Sequence, residues 1–288
     1  MQLEDYPSLY RSSDRLSISS QRNFFLALMT HLIVLVIAAV LSFITIPSLF
    51  VSVLQLLALL SALSISIYLF ALRPDRVWYS GRAVAESIKT ITWRYISRAE
   101  PFQGSDTEAK THFIKTLKAI LDQNSEIFRA ITDNLDTPHI TEPMEQMRCQ
   151  SLDQRWSAYI NNRVENQLKW YAEKASFNKI MSKRFFIALI SVNIIAVLCA
   201  VLRLVFVNHL QFWPTDILVA ASASLLGWMQ AKRFSELSAS YALAAHEIGL
   251  IKCQSTQPTS DEDFSLFVSD TENAFSREHT QWVARKDI

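Results

Sequence analysis

Arg22-Asn23-Phe24-Phe25-Leu26-Ala27-Leu28 and Lys183-Arg184-Phe185-Phe186-Ile187-Ala188-Leu189 are two copies of one pattern. On the same offset, Ile33, Val36, Ala39, Val40 and Leu41 meet Ile194, Val197, Ala200, Val201 and Leu202. Each copy is a basic flank, a long apolar run, a short turn and a second apolar run. An internal repeat governs architecture before any local reading does. At ~1.5 Å per residue, roughly twenty apolar residues cross a hydrocarbon core ~30 Å thick. The pattern therefore predicts an all-α membrane protein: four transmembrane helices as two tandem hairpins with long cytosolic helical extensions.

The chain has 288 residues, 50% of them apolar and 19% charged. Those fractions suit a soluble protein, but charge is nearly absent from 24–72 and from 185–231. A soluble amphipathic helix would keep a polar face there. A net charge of +1 points neither to nucleic acid nor to an acidic partner. Four glycines and eight prolines argue against an all-β fold. Cys149, Cys199 and Cys253 form no CxxC motif and are odd in number, so they read as reduced structural residues. The first apolar run is too long for a secretory signal and a second follows at once.

The organisation expected is a polar tail over 1–21, a first two-span unit over 22–132, a linker over 133–150 and a second unit over 151–288. The tail reads either as an interfacial helix from about Asp14 or as disordered. The spans are expected near 24–46, 49–72, 185–206 and 215–229, with turns at Pro47-Ser48 and over 207–214, and Thr215-Asp216 capping the fourth. Trp78, Ala85, Ile88, Thr92 and Tyr95 recur at helical spacing after the first hairpin. Ser105-Asp106-Thr107-Glu108 is a capping box, and Thr259–Glu262 repeats it before the last helix. The long helical pattern from 151 continues into the third span. Arg15, Arg22, Lys179, Lys183 and Arg184 precede the odd spans, and Arg73, Arg76, Arg82, Lys232 and Arg233 follow the even ones. The positive-inside rule then places both termini in the cytosol of a multi-pass inner (plasma) membrane protein.

Catalytic signatures are missing: there is no glycine-rich phosphate loop, GxSxG or HExxH, and the six histidines show no metal-ligand spacing. No enzyme, metal or cofactor is expected. Inside the spans the polar residues are His31, Asn193, Arg203, Asp216, Ser222 and Ser224, the candidates for a pore lining. His31 reads as an interface-reaching side chain or as a gate. Arg203 and Asp216 read as an ion pair closing the outer turn or as charge at a pore mouth. Ala220/Ser224 and Ala223/Gly227 are small-xxx-small pairs for helix packing, within the hairpin or between protomers. In the cytosol, Trp78, Arg82, Glu86, Trp93, Arg163, Trp170 and Glu247 either tie helices into a bundle or form a signal-receiving or ligand face, since arginine stacked on tryptophan suits a base and phosphate. Glu86 and Glu247 stand at equivalent repeat positions.

Arg163-Val164-Glu165-Asn166-Gln167-Leu168-Lys169-Trp170-Tyr171 with Lys174-Ala175 and Asn178 precedes a hairpin. Trp78-x-x-x-Arg82-Ala83-x-Ala85-Glu86-Ser87-x-Lys89 with Trp93-Arg94-Tyr95 follows one, and Phe264…Glu272…Glu278…Trp282 ends the chain. These patterns resemble the SLATT family, and the resemblance covers nearly the whole chain as two units in tandem. It implies a prokaryotic two-span module acting as a membrane effector in conflict systems, encoded beside nucleotide-second-messenger synthases or SLOG domains. It further implies pore formation or membrane disruption in anti-phage defence. The partners expected are the lipid bilayer, further copies of the chain, and a nucleotide second messenger or cytosolic sensor protein as trigger. A non-conducting scaffold that anchors partners is the alternative.

Overall fold

The computed structural model describes residues 1–44, 48–129, 131, 137–206 and 213–284, without the side chains of 276–284. The expected turn at Pro47, the outer turn over 207–212, the linker residues 133–136 and the side chains of Glu278 and Trp282 lie outside the described residues. Every regular element among the described residues is helical.

After a 3-10 turn at Leu3–Asp5, α1 runs Ser8–Phe43. It begins well before the apolar run and absorbs most of the stretch read as a tail. α2 is Leu49–Leu72, as the apolar run dictates. Arg73 then takes a left-handed conformation (φ 42°, ψ 54°), uncommon outside glycine, and α3 restarts at Pro74–Ile96. The second half repeats the device. α9, Thr215–Lys232, ends at Arg233 (φ 50°, ψ 37°), and α10, Phe234–Gln254, restarts at once. Between these come α4 (Asp106–Gln123), α5 (Ser125–Arg129), α6 (Glu142–Arg148) and α7 (Leu152–Tyr159). A π-helical turn at Ile160–Val164 joins α7 to α8, Glu165–Val205, without a break. α11 is Asp261–Ala284.

The Ser105 box forms as expected, with the Ser105 hydroxyl accepting from the Glu108 amide. The later cap sits one residue further on than Thr259–Glu262: the Ser260 hydroxyl accepts from the Asp263 amide at 3.1 Å, and Thr259 instead donates to the Asp263 carboxylate. The fourth apolar helix is capped by Pro214, so Thr215 is its first residue, not its cap.

The contacts divide the chain into two compact units that do not follow the order of the sequence. A polar unit comprises Met1–Gln21, Asp75–Glu173 and Tyr241–Ile288; an apolar unit comprises Arg22–Pro74 and Lys174–Ser240. α1, α8 and α10 contribute residues to both.

The polar unit is built on an aromatic core. Trp93, Tyr95, Phe102, Phe113, Tyr159 and Phe264 are all buried, with Tyr95 and Phe113 centroids 4.7 Å apart. The helical stripe Trp78, Ala85, Ile88, Thr92 and Tyr95 lies inside, as its spacing requires. Arg148 is buried at the end of α6. Its guanidinium donates to Tyr95 O (2.6 Å) and to Asp106 (2.9 Å). The start of α1 packs by a row of small side chains, with Ser8, Ser12, Ser13, Ser17 and Ser20 all buried. A Cβ on Gly81 would meet Ser13 O and Ser17 N at 3.3 Å, so α3 approaches α1 there as only glycine allows.

In the apolar unit, burial works the other way. Three helical stretches, Ser8–Phe43, Leu49–Ile96 (interrupted at Arg73) and Leu152–Val205, are long and apolar enough to cross a membrane, and no more than 6% of the apolar window of each is buried within the chain. α9 does not reach that composition. Its 18 residues include Asp216, Gln230 and Lys232, with alanine, serine and glycine through the middle. Polar contacts join its helices. His31 Nδ1 lies 3.2 Å from Ala62 O, joining α1 to α2, and the Ser224 hydroxyl donates to Leu32 O at 3.4 Å, joining α9 to α1.

Candidate functional site

The densest chemistry of the described residues lies inside the polar unit, where α1, α3, the π-helical turn and α11 bring six charged side chains together. Helical spacing along α11 sets Phe264, Val268, Glu272 and Phe275 on its inner face. The π-helical turn carries Arg163 to the same place, and such turns commonly occur where a side chain must be re-aimed for function. Arg163 and Glu272 are 1% and 0% exposed and pair through two bonds, Nε to Oε1 at 2.8 Å and Nη2 to Oε2 at 2.7 Å. The Tyr159 hydroxyl (3.1 Å) and the Thr90 hydroxyl (2.8 Å) also donate to Glu272. The Phe275 ring lies 4.8 Å from the guanidinium carbon. All the lone pairs that matter on the carboxylate are thus occupied, as a buried charge demands.

A second group adjoins it electrostatically. Arg82 bonds Glu86 at 2.5 Å and Asp14 at 3.4 Å, and Glu86 is buried. Burial lowers Arg163, but the Glu272 carboxylate outweighs it and the net shift is upward. Arg82 behaves alike: burial lowers it, and Glu86 and Asp14 with Tyr10 and Tyr171 together carry it upward. Burial raises Asp14 against the opposing pull of Arg82, and burial lowers Lys89 against Glu86. Asp14, Glu86 and Glu272 therefore face Arg82, Lys89 and Arg163. Opposite charges balance, so the cluster presents no surplus of positive field to an incoming phosphate. It is suited to locking four helical segments in one arrangement.

The Tyr6 hydroxyl, which accepts from Trp93 Nε1 at 2.9 Å, is pushed up from 10.0 to about 12 by burial, with Arg163 pulling the other way. A raised phenol favours the neutral folded form. Its contribution is complete below pH 10 and is lost as pH climbs through the folded value. The expected result is a fall in stability on the order of 2–3 kcal/mol from this group between pH 10 and 12. Urea unfolding across that range, comparing wild type with Tyr6→Phe, checks it: the phenylalanine variant has the shallower decline.

Of the cytosolic candidates, the structure gathers Arg82, Glu86, Trp93 and Arg163 around this cluster. Trp78 is buried and stacks on Tyr79, with centroids 4.4 Å apart. Trp170 is half-buried, edge-on to Tyr241 at 5.4 Å. Glu247 is exposed on α10, unlike its repeat counterpart Glu86. Glu272, Tyr159, Thr90, Asp14 and Tyr6 were not singled out as site residues from sequence, although Glu272 belongs to the terminal pattern quoted above. Serine at 8, 12, 13, 17 and 20 was the available signal that the first helix begins early and buries a face.

Among the intramembrane candidates, Asn193 is exposed and its amide donates back to Leu189 O at 3.0 Å. Arg203 and Asp216 are both exposed, and among the described residues no ion pair joins them. The Ser222 hydroxyl is buried without a hydrogen-bond partner. Ser224 and Gly227 lie against α1, where a Cβ on Gly227 would meet Leu32 Cδ2 at 3.7 Å. Ala220 is half-buried and Ala223 exposed. Among the described residues no group of three or more His, Cys, Asp or Glu side chains is placed to hold a metal.

Residues 7–156 match the family described as SMODS and SLOG-associating 2TM effector domain 3, and residues 159–282 match SMODS and SLOG-associating 2TM effector domain 1. Comparison with curated proteins and with solved structures gives no match.

Proposed function

Because the chain belongs to the SLATT family, with two of its two-transmembrane effector domains in tandem, we propose that it oligomerises in the inner membrane and opens a pore, or disrupts the bilayer, when triggered from the cytosol in anti-phage or conflict defence. The observation that carries this reading is the nearly complete lack of burial along the apolar helices. One copy leaves them for lipid or for other copies. In the proposed arrangement α1, α2, α8 and α9 are two hairpins with both termini cytosolic. α9 crosses in the company of α1, to which Ser224 ties it. The polar unit is the receiving end, answering a sensor protein or a nucleotide second messenger, and it acts as an effector and not as a catalyst.

Asn193 supplies the first functional prediction. An exposed amide in an apolar helix is costly toward lipid and useful against another polar surface. In cells carrying the activated protein and a membrane-potential dye, wild type is expected to depolarise the membrane and stop growth. Asn193→Leu should lose most of that signal while still fractionating with membranes. Recruitment of a partner with no change in potential would favour the scaffold instead.

A further inference from the structure

The apolar unit holds an open-sided pocket of about 520 Å³ between α1, α8 and α9, lined by Met29, Ile33, Ile37, Phe185, Leu225 and Trp228 among others. Ser224 is its one hydroxyl, and that group is already committed to Leu32 O. From Met29 to Ile37 the lining follows α1 for eight residues, ~12 Å at ~1.5 Å each. One leaflet of a ~30 Å core is ~15 Å deep. The pocket thus has the depth and chemistry of a single acyl chain. Its basic end supplies the second, independent observation. The Lys232 ammonium, one turn beyond Trp228, lies 3.3 Å from the Phe25 ring centroid and 5.0 Å from that of Trp228. Among the described residues no carboxylate pairs with it. Arg184 immediately precedes Phe185 and is exposed. A cation held on ring faces beside hydrocarbon, with an exposed arginine next to the lining residue Phe185, suits a phosphate.

We infer that this pocket seats one anionic phospholipid, an acyl chain in the groove and its phosphate on Lys232 and Arg184. The inference rests on the proposal that these helices cross a membrane, and the basic end assigns the lipid to the leaflet on that side. The small-residue stretch and the aromatic pair do not by themselves call for a lipid; the ammonium at the end of an apolar groove, with no carboxylate on it among the described residues, is what points to one.

The test uses the full chain in mixed vesicles of phosphatidylglycerol and phosphatidylcholine, extracted in mild detergent and weighed by native mass spectrometry. Wild type should retain one phosphatidylglycerol in at least about tenfold preference, a difference of about 1.4 kcal/mol. Lys232→Gln with Arg184→Gln should lose the preference. Leu225→Trp, which fills the groove, should lose the lipid itself, whereas Val197→Trp on an exposed face should keep it. Equal retention of both lipids by wild type, or full retention by Leu225→Trp, overturns the proposal. So does a doubled mass without lipid, which would assign the groove to a second copy. Resistance of the chain to carbonate extraction is scored in parallel. If it fails, the membrane reading fails; if it holds while no lipid is retained, the lipid seat alone is wrong.

Discussion

Glu272→Gln should destabilise the polar unit by about 3–5 kcal/mol, because it leaves the Arg163 guanidinium buried without the carboxylate that pairs with it. Against a typical total of ~5–15 kcal/mol, that loss is enough to unfold a marginal domain. The reasoning turns on an asymmetry. The intact pair contributes little by itself, since desolvating both ions offsets their attraction. Removing one partner keeps the whole desolvation cost of the other. Chemical denaturation in detergent, followed by near-ultraviolet circular dichroism, measures it. The double variant Arg163→Met/Glu272→Leu should recover most of the loss. If Glu272→Gln costs less than about 1 kcal/mol, water reaches Arg163 and the cluster is not the lock described above.

Trp93→Ala should cost about 3–5 kcal/mol by the same measurement, as expected for deleting a buried aromatic side chain. Trp93 is 1% exposed, edge-on to Tyr159 with centroids 5.7 Å apart. Trp93→Phe keeps most of the packing and removes only the indole donor to Tyr6, so it should cost ~1–2 kcal/mol. Trp170→Ala, at a half-buried position, should cost less than Trp93→Ala. This ordering separates the two readings of the aromatic–arginine set. A structural core ranks the tryptophans by burial. A ligand platform would leave stability nearly unchanged and remove only the response to a trigger. Similar small losses at both tryptophans would contradict the core.

Long apolar runs betray themselves in sequence because one physical demand, the thickness of hydrocarbon, governs every residue in them. That is why Leu49–Leu72 was legible to the residue and the two copies could be aligned. The Ser105 cap was legible for a similar reason, since its two hydrogen bonds are local. The buried cluster was not. Glu272 meets Arg163 across a separation of 109 residues, and no spacing rule connects them. The early start of α1 was hidden by composition: serine looks like a solvated tail until Gly81 supplies a surface that only small side chains can approach. The reach of α8 through the π-helical turn was visible as an unbroken pattern, but the turn that aims Arg163 inward was not. Glu86 and Glu247 show the limit of repeat reasoning, because equivalent positions ended in opposite surroundings.

The interleaved make-up of the polar unit has a consequence for biogenesis. That unit draws on the beginning, middle and end of the chain. During synthesis, Arg163 emerges long before Glu272, and all the apolar helices emerge between residue 22 and residue 232. The lock cannot close until the last helix is made. In the proposed arrangement, the apolar helices are therefore available to the bilayer while the polar unit is still open. The chain thus passes through an unlocked stage each time it is produced, and α11 is the element that ends it.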